Sequence, residues 1–528
     1  MPVPAYAVAL LAAVLAVGCG GGGGSSGSTD PIPPPTAVPQ VRLTGISPFP
    51  DGCEGPVASG TAYAGSEVEP HVAVDPTNPN HLVAAWQQDR WSNGGARGLR
   101  SAASFDGGRT WAGSAAAFTL CTGGDSAAGT DFQRASDPWV SIGADGVVHQ
   151  IAIGFSGVSQ TPGSINAVLA SRSTDGGRTW SAPATLIRDE GLPFNDKESL
   201  TADPTDARFV YAIWDRLAAG RGPTWFTRST DGGANWEPAR SIYDPGPGRQ
   251  TINNQIVVLP DGTLVAFFTR LIALGSIVQQ SLMTMRSNDR GATWSAPEAL
   301  SAVQSRGTRD PDTGALVRDA ANLGTIAAGR NGQLAAVWQD ARFSAGLRDG
   351  IALARSFDGG LTWTVPVAVN QVPGVAAFVP SVHIRDDGAI GVTYHDLRDN
   401  TPGAGLPTSV WLVETADGTT WRETRLAGPF DLAAAPNANG YFLGDYTGLV
   451  SSGATFVPVY ATTQDAKAGD QTDVFASLVS PPAAGTSTKA DSTVATIGPP
   501  REPIVLTPEL EEAFARSVRL TIERRFAR

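Results

Sequence analysis

The chain has 528 residues, 41% of them hydrophobic, so it can bury a large core. Its 61 glycines and 39 prolines, with only 17% charged residues, exclude a helical bundle and suit many short strands joined by turns. A formal net charge of −12 excludes nucleic acid as a partner, because phosphate binding needs a basic face.

Residues 1–19, "MPVPAYAVALLAAVLAVGC", form an apolar run too short to span a bilayer comfortably. The run ends in Ala16-Val17-Gly18-Cys19, which is similar to a bacterial lipobox, and that resemblance implies a cleaved signal with Cys19 lipidated. The Gly/Ser/Pro-rich stretch over 20–40 reads as a tether. The implied location is outside the cytoplasm, as a lipoprotein of the outer membrane or cell surface, touching membrane only through the anchor; plain secretion is the alternative. The remaining cysteines, Cys53 and Cys121, form one disulfide in an oxidising compartment or stay as two buried thiols.

One octapeptide recurs along residues 41–480. It reads "SFDGGRTW" at Ser104, "STDGGRTW" at Ser173, "STDGGANW" at Ser229, "SNDRGATW" at Ser287 and "SFDGGLTW" at Ser356, with a worn copy, "TADGTTW", at Thr415. Period-2 stretches flank every copy, so each is a tight turn between two strands. Asp106, Asp175, Asp231, Asp289, Asp358 and Asp417 accept from backbone N–H groups inside the turn, and Gly supplies positive φ. Trp111, Trp180, Trp236, Trp294, Trp363 and Trp421 cover the hairpins.

A second unit, a strand turning at Asp-Pro or Asp-Gly into a more apolar strand, begins at Glu69, Ser136, Asp196, Asn253, Ala321, Val379 and Gly444. Seven such hairpins against six octapeptides leave the last unit one strand short. The alternating segment Val41–Ser47 is the strand expected to complete it. Residues 481–506 read as a linker. Residues 507–528 read as a helix, with Thr507 as N-cap, Pro508 in the first turn and an apolar stripe through Leu510, Phe514, Val518, Ile522 and Phe526. The helix either docks on its own domain or takes a partner.

The octapeptide resembles the Asp box of the sialidase-like β-propellers. The resemblance implies an all-β fold: a single propeller of seven four-stranded blades closed by the N-terminal strand, six blades being the alternative, followed by the C-terminal helix. In an antiparallel blade the boxes share a face with the Asp-Pro and Asp-Gly turns. A ligand is therefore expected on the opposite face, beside the strand starts (Glu69, Asp137, Asp196, Glu198, Asn253, Asp445, Tyr446) and the ends of the second strands.

Those ends carry Arg90, Arg216, Arg270, Arg342 and Arg398, several beside an Asp. Such a ring either ties neighbouring blades together or grips an anionic or sugar ligand through planar forks. Family sialidases use a Tyr nucleophile, an activating Glu, an Asp acid/base and three arginines. Tyr446 in "DYTGL" and Arg270 after "NNQIVVLPDG" match that pattern. Asn253 stands where the Glu belongs, Val68 where the first arginine belongs, and "WSNGGARGL" offers no acid/base carboxylate.

The expectation is a monomeric propeller that binds glycan or protein without sialidase chemistry. The alternative is a glycoside hydrolase, of sialidase or other specificity, using Tyr446 with Asp445, Glu198 or Asp89. No cofactor or metal site is expected from the motifs; a structural calcium ion is possible but has no motif to place it.

Overall fold

The computed structural model describes residues 38–481, apart from 58, 275–276 and 465–470, together with 495–496. The signal, Cys19, almost all of the tether and the helix expected over 507–528 lie outside the described residues. Within them, helix is confined to three 3₁₀ turns, Leu120–Thr122, Arg342–Ser344 and Leu432–Ala434. The rest is antiparallel strand and turn, save a two-residue parallel pairing of Val317–Arg318 with Tyr441–Phe442 and the isolated parallel bridges Ser66 to Thr472 and Gly222 to Gln250.

The strands fall into seven consecutive sets of four among the described residues, with Ala495–Thr496 added as a fifth strand on the sixth. The first set is Glu67–Val74, Leu82–Arg90, Ala96–Ser104 and Ala112–Ser114; the second is Arg134–Ile142, Val148–Ser156, Ile165–Ser173 and Ala184–Glu190. A single pairing, Ala96 with Ala135, joins these two. The third to sixth sets begin with Phe194–Ala202, Arg249–Val258, Gly324–Ala328 and Ala377–Ile384, and each continues as an antiparallel meander. The last set is Gly448–Ser452, Thr455–Thr463 and Thr472–Ser477, with Gln40–Arg42 from the N-terminal end as its fourth strand. Gln40 pairs with Ser477, Val41 with Ala476 and Arg42 with Phe475. The alternation in the sequence extends this strand to Ser47, but pairing stops at Arg42. Beyond it the side chains of Arg42 and Thr44 both donate to the Asp473 carboxylate, at 2.8 and 2.7 Å.

The first strand of each set packs on the first strand of the next, and Gly448–Ser452 returns to pack on Glu67–Val74. Apolar clusters fill the spaces between sets. One joins Val72, Trp86 and Ala102 of the first set to Val457, Val459 and Val474 of the last.

The octapeptides sit at the third-to-fourth turns. Asp106 accepts from the backbone N–H of Arg109 and Thr110, both at 2.9 Å, and from the Thr110 hydroxyl at 2.6 Å. The turn needs left-handed backbone at Gly107 and Gly108, φ 76° and 92°. Asp175, Asp231, Asp289, Asp358 and Asp417 make equivalent bonds to the Thr or Asn that follows. These contacts hold the Asp106, Asp231, Asp289 and Asp358 carboxyls down to about 2. The tryptophans pack into the same clusters, Trp421 fully buried and Trp180 donating to Ser114 Oγ at 3.0 Å on the preceding set. The box turn also touches the first-to-second turn: the Gly107 amide donates to Asn80 O at 3.0 Å, and that of Gly232 to Arg208 O at 2.9 Å. Boxes and these turns therefore share one end of the strands.

Cys53 and Cys121 are disulfide-bonded, Cα atoms 5.0 Å apart, across 68 residues of sequence. The bond pins the segment that follows the N-terminal strand onto the first set.

Candidate functional site

Five of the innermost strands carry the same defect at the same place. The pairing register slips between Val68 and His71, Ser136 and Trp139, Asp196 and Ser199, Ile252 and Gln255, and Phe378 and Ser381. Inside each slip one residue turns left-handed: Glu69, Asp137, Lys197, Asn253 and Val379, with φ between 50° and 60°. A bulge re-aims side chains, and left-handed backbone at non-glycine residues is strain concentrated where structure serves function. In the first three sets the bulge brings Glu69, Asp137 and Lys197 together, whereas Asn253 donates to Gly324 O of the next set and Val379 packs in an apolar cluster with Val317 and Leu397.

Lys197 is the hub of what gathers there. Its Nζ lies 2.7 Å from Asp445 Oδ2, 3.2 Å from Asp137 Oδ2 and 3.4 Å from Glu69 Oε1. Arg318 holds the other side of Asp445, with Nε 3.0 Å from Oδ1 and a terminal nitrogen 2.5 Å from Oδ2. The Asp445 amide donates to Glu69 Oε1 at 3.1 Å. Gln87 donates to Glu69 Oε2 and to Ser136 Oγ and accepts from Arg90 at 2.6 Å. Arg90 and Arg318 both stack on Phe442, at 4.6 and 4.3 Å.

All of these acids and Lys197 are buried. Burial pushes the Glu69 carboxyl up to about 7, against the pull of Lys197. The Glu198 carboxyl, 3% exposed, has no hydrogen-bond partner on either oxygen, and burial with the Asp137 charge beside it raises it well above its ordinary value.

Tyr446 stands next to this network. Its hydroxyl donates to Pro138 O at 2.9 Å, and its ring meets Trp139 edge-on at 5.4 Å. Trp139 stacks on His71 at 3.7 Å; burial depresses the His71 imidazole to about 3, so the ring is neutral. Burial and the surrounding carboxylates push the Tyr446 phenol well above 10. These three rings line a cavity of about 310 Å³ that runs between the innermost strands as far as Pro76 and Pro204, with Ser141, Thr201 and Gln255 among its polar walls. Pro76 and Pro204 belong to first-to-second turns. The hollow beside Tyr446 thus reaches towards the box end, whereas the sequence reading looks for a ligand from the strand-start end, where the ionic network sits.

The residues singled out in the sequence divide into two groups. Tyr446, Asp445, Glu198 and Arg90 come together around Lys197. Asp89 does not: it accepts from the Gly65 amide at 3.0 Å and Ser47 Oγ at 2.7 Å, beneath Arg97. Arg216 forks onto Asp189 at 2.7 and 2.6 Å and ties the third set to the second. Arg342 binds Asp340, Ser301 and Ala302 O, tying the fifth set to the fourth. Arg398 joins Asp396 and Glu423 and lies 3.6 Å over Trp411. Arg270 is half-buried on the fourth set with its Nε unpartnered. Three of the five arginines are therefore ties between and within sets.

Lys197 and Arg318 are the members sequence reasoning missed. The signal that could have found the hub is the recurrence of "EPH", "DPW" and "VPS" at one strand position, with "KES" and "NNQ" in the same register.

Residues 220–440 match the BNR repeat-like domain. No curated protein matches the chain. Among solved structures, a protein of unknown function from Dyadobacter fermentans is 15% identical, with 72% of this chain and 98% of that one covered and a TM-score of 0.43. The Hadza microbial sialidase Hz136 is 18% identical over 62% and 63% of the two chains, TM-score 0.40. The Penicillium chrysogenum α-L-arabinanase complexed with arabinobiose is 15% identical over 68% and 94%, TM-score 0.43. The match over 220–440 takes in four of the six octapeptide turns, those at Ser229, Ser287, Ser356 and Thr415, so this part of the chain is similar to BNR-repeat proteins.

Proposed function

We propose that this protein is an exported, lipid-anchored, seven-bladed propeller, closed by its N-terminal strand, that binds a neutral glycan along its axis without hydrolysing it. The single observation that carries the reading is the internal neutralisation of the axial cations. Lys197 and Arg318 are already held by Asp445, Asp137 and Glu69. A substrate carboxylate entering here would have to displace a buried acid from its cation, at a cost of several kcal/mol. Tyr446 supports the same reading, since its hydroxyl donates to a backbone carbonyl and carboxylates nearby oppose its ionisation.

What remains beside the network is a hollow walled by Trp139, His71 and Tyr446 with a few hydroxyl and amide groups, the composition of a site for an uncharged, hydroxylated ligand. Cys19 as anchor accords with the pairing of the other two cysteines. Full-length protein on a glycan array tests the reading. Neutral glycans are retained by the wild type and lost on Trp139→Ala; equal retention by both rejects it.

A second reading, glycoside hydrolysis, is favoured by one observation. Glu198 is a buried carboxyl with two unpartnered oxygens, and burial raises it well above its ordinary value, the direction that suits a general acid. Hydrolysis of any glycoside that Glu198→Gln abolishes would establish it.

A further inference from the structure

A second hollow, away from the axis, is lined by residues of four connecting segments. The segment between the fourth and fifth sets supplies Arg306, Thr308 and Arg309, and the fifth set's second-to-third loop supplies Arg348 and Asp349. Asn400 comes from the segment after the sixth set's second strand. The volume is about 420 Å³, within the range of small-ligand sites.

Its charge differs from that of the axis. Arg306 donates through one terminal nitrogen to Gly346 O at 2.6 Å and Leu347 O at 3.5 Å, Arg309 donates to Gly314 O at 3.0 Å, and Arg348 donates to Gly374 O. None of the three forms an ion pair among the described residues, in contrast to Arg216, Arg342 and Arg398. Their remaining N–H groups are available to a ligand.

The wall is also held in shape. Asp349 accepts from Ser305 Oγ at 2.5 Å and from the amides of Arg306 and Gly307 at 2.9 and 3.0 Å. Asp319 accepts from the Thr308 amide, and Gln339 bridges both acids at 3.0 and 3.3 Å. The run 305–308 is thus wrapped around two buried carboxyls. Thr308 is 2% exposed, yet its hydroxyl has no hydrogen-bond partner, and neither has Asn400 Oδ1. Both residues line the hollow, and buried polar atoms are almost always bonded, so these two are groups that a side-chain rotation would bring to a ligand.

We propose that this hollow is a binding site for an acidic sugar unit, its oxyanion gripped by Arg306, Arg309 and Arg348 and a ring hydroxyl bonded by Thr308 and Asn400. Arginine forks match carboxylate and sulfate alike, so the shared chemistry is an oxyanion on a hydroxylated ring. The site is independent of the axial one and does not rest on the reading given for it.

Titration calorimetry of the full chain with digalacturonate, 6-sulfated N-acetylglucosamine and uncharged cellobiose tests it. At least one acidic probe is expected to bind, with an affinity that falls at high salt and drops at least tenfold in Arg306→Gln/Arg348→Gln. Thr308→Val, which removes only the hydroxyl, lowers it a fewfold. Arg330→Ala, an exposed arginine paired with Asp386 elsewhere, leaves it unchanged. Which probe binds separates carboxylate from sulfate recognition. Binding of neither acidic probe, or acidic-probe affinity unchanged in the folded double variant, would overturn the proposal.

Discussion

Lys197 and Asp445 meet at 2.7 Å across 248 residues of sequence, both buried, at the point where the innermost strands converge. The contact brings the third and seventh sets into one electrostatic unit with Asp137 of the second and Glu69 of the first. Its loss leaves acids rather than a cation without a partner.

Lys197→Met therefore leaves the buried acids Glu69, Asp137 and Asp445 facing one another with Arg318 and Arg90 as counter-charges. Removing one member of a buried ionic network costs about 3–5 kcal/mol. Denaturant unfolding should show that loss for Lys197→Met, and a partial recovery when Asp445→Asn is added. A midpoint unchanged by Lys197→Met would mean the acids are held protonated and the network is not ionic.

The disulfide closes a loop of 68 residues between Cys53 and Cys121. Loop-closure entropy for that length corresponds to about 4 kcal/mol. Cys53→Ser should lower stability by that order, and dithiothreitol should destabilise the wild type but not the variant.

Acidity has two opposite effects. Asp349 and Glu69 sit at about 7 in the folded chain, above their ordinary values of 3.8 and 4.5, so their protonated forms stabilise the fold. That contribution is complete below about 4 and is lost as pH rises through 7. The box aspartates at about 2 act the other way, contributing above 4 and failing as pH falls towards 2. Thermal melting should peak between about pH 4 and 5, and Asp349→Asn should flatten the decline between 5 and 8. A melting temperature that rises from pH 5 to 8 would contradict this.

Asp106→Ala removes an acceptor of four hydrogen bonds at a partly exposed turn. It should cost about 1–2 kcal/mol. Glycan binding should be unaltered below the melting temperature, because the box lies in the outer turns and lines neither hollow.

Local chemistry was the legible part of the sequence. The boxes declare themselves because an Asp that accepts from the next amides and a glycine with positive φ determine the turn within eight residues. The N-terminal strand is visible as alternation from Val41, though its early end is not, since that depends on Asp473 far along the chain. Glu69, Asp137 and Asp445 are legible as strand starts. Lys197 is not, because its partners are brought to it only by the cyclic packing of the strands, and Arg318 lies in a connecting segment with no period. The arginine ends looked like one set; the structure divides them, because Arg216 and Arg342 reach sideways to outer strands and Arg90 reaches inward to Gln87.

The central claim is that the axis holds a ligand without cleaving it, and hydrolysis of a fluorogenic sialoside by the full chain is its most direct test. The account predicts release no faster than in buffer, by wild type and Tyr446→Phe alike, from protein that still retains neutral glycans on an array. Release by the wild type that Tyr446→Phe abolishes would contradict it.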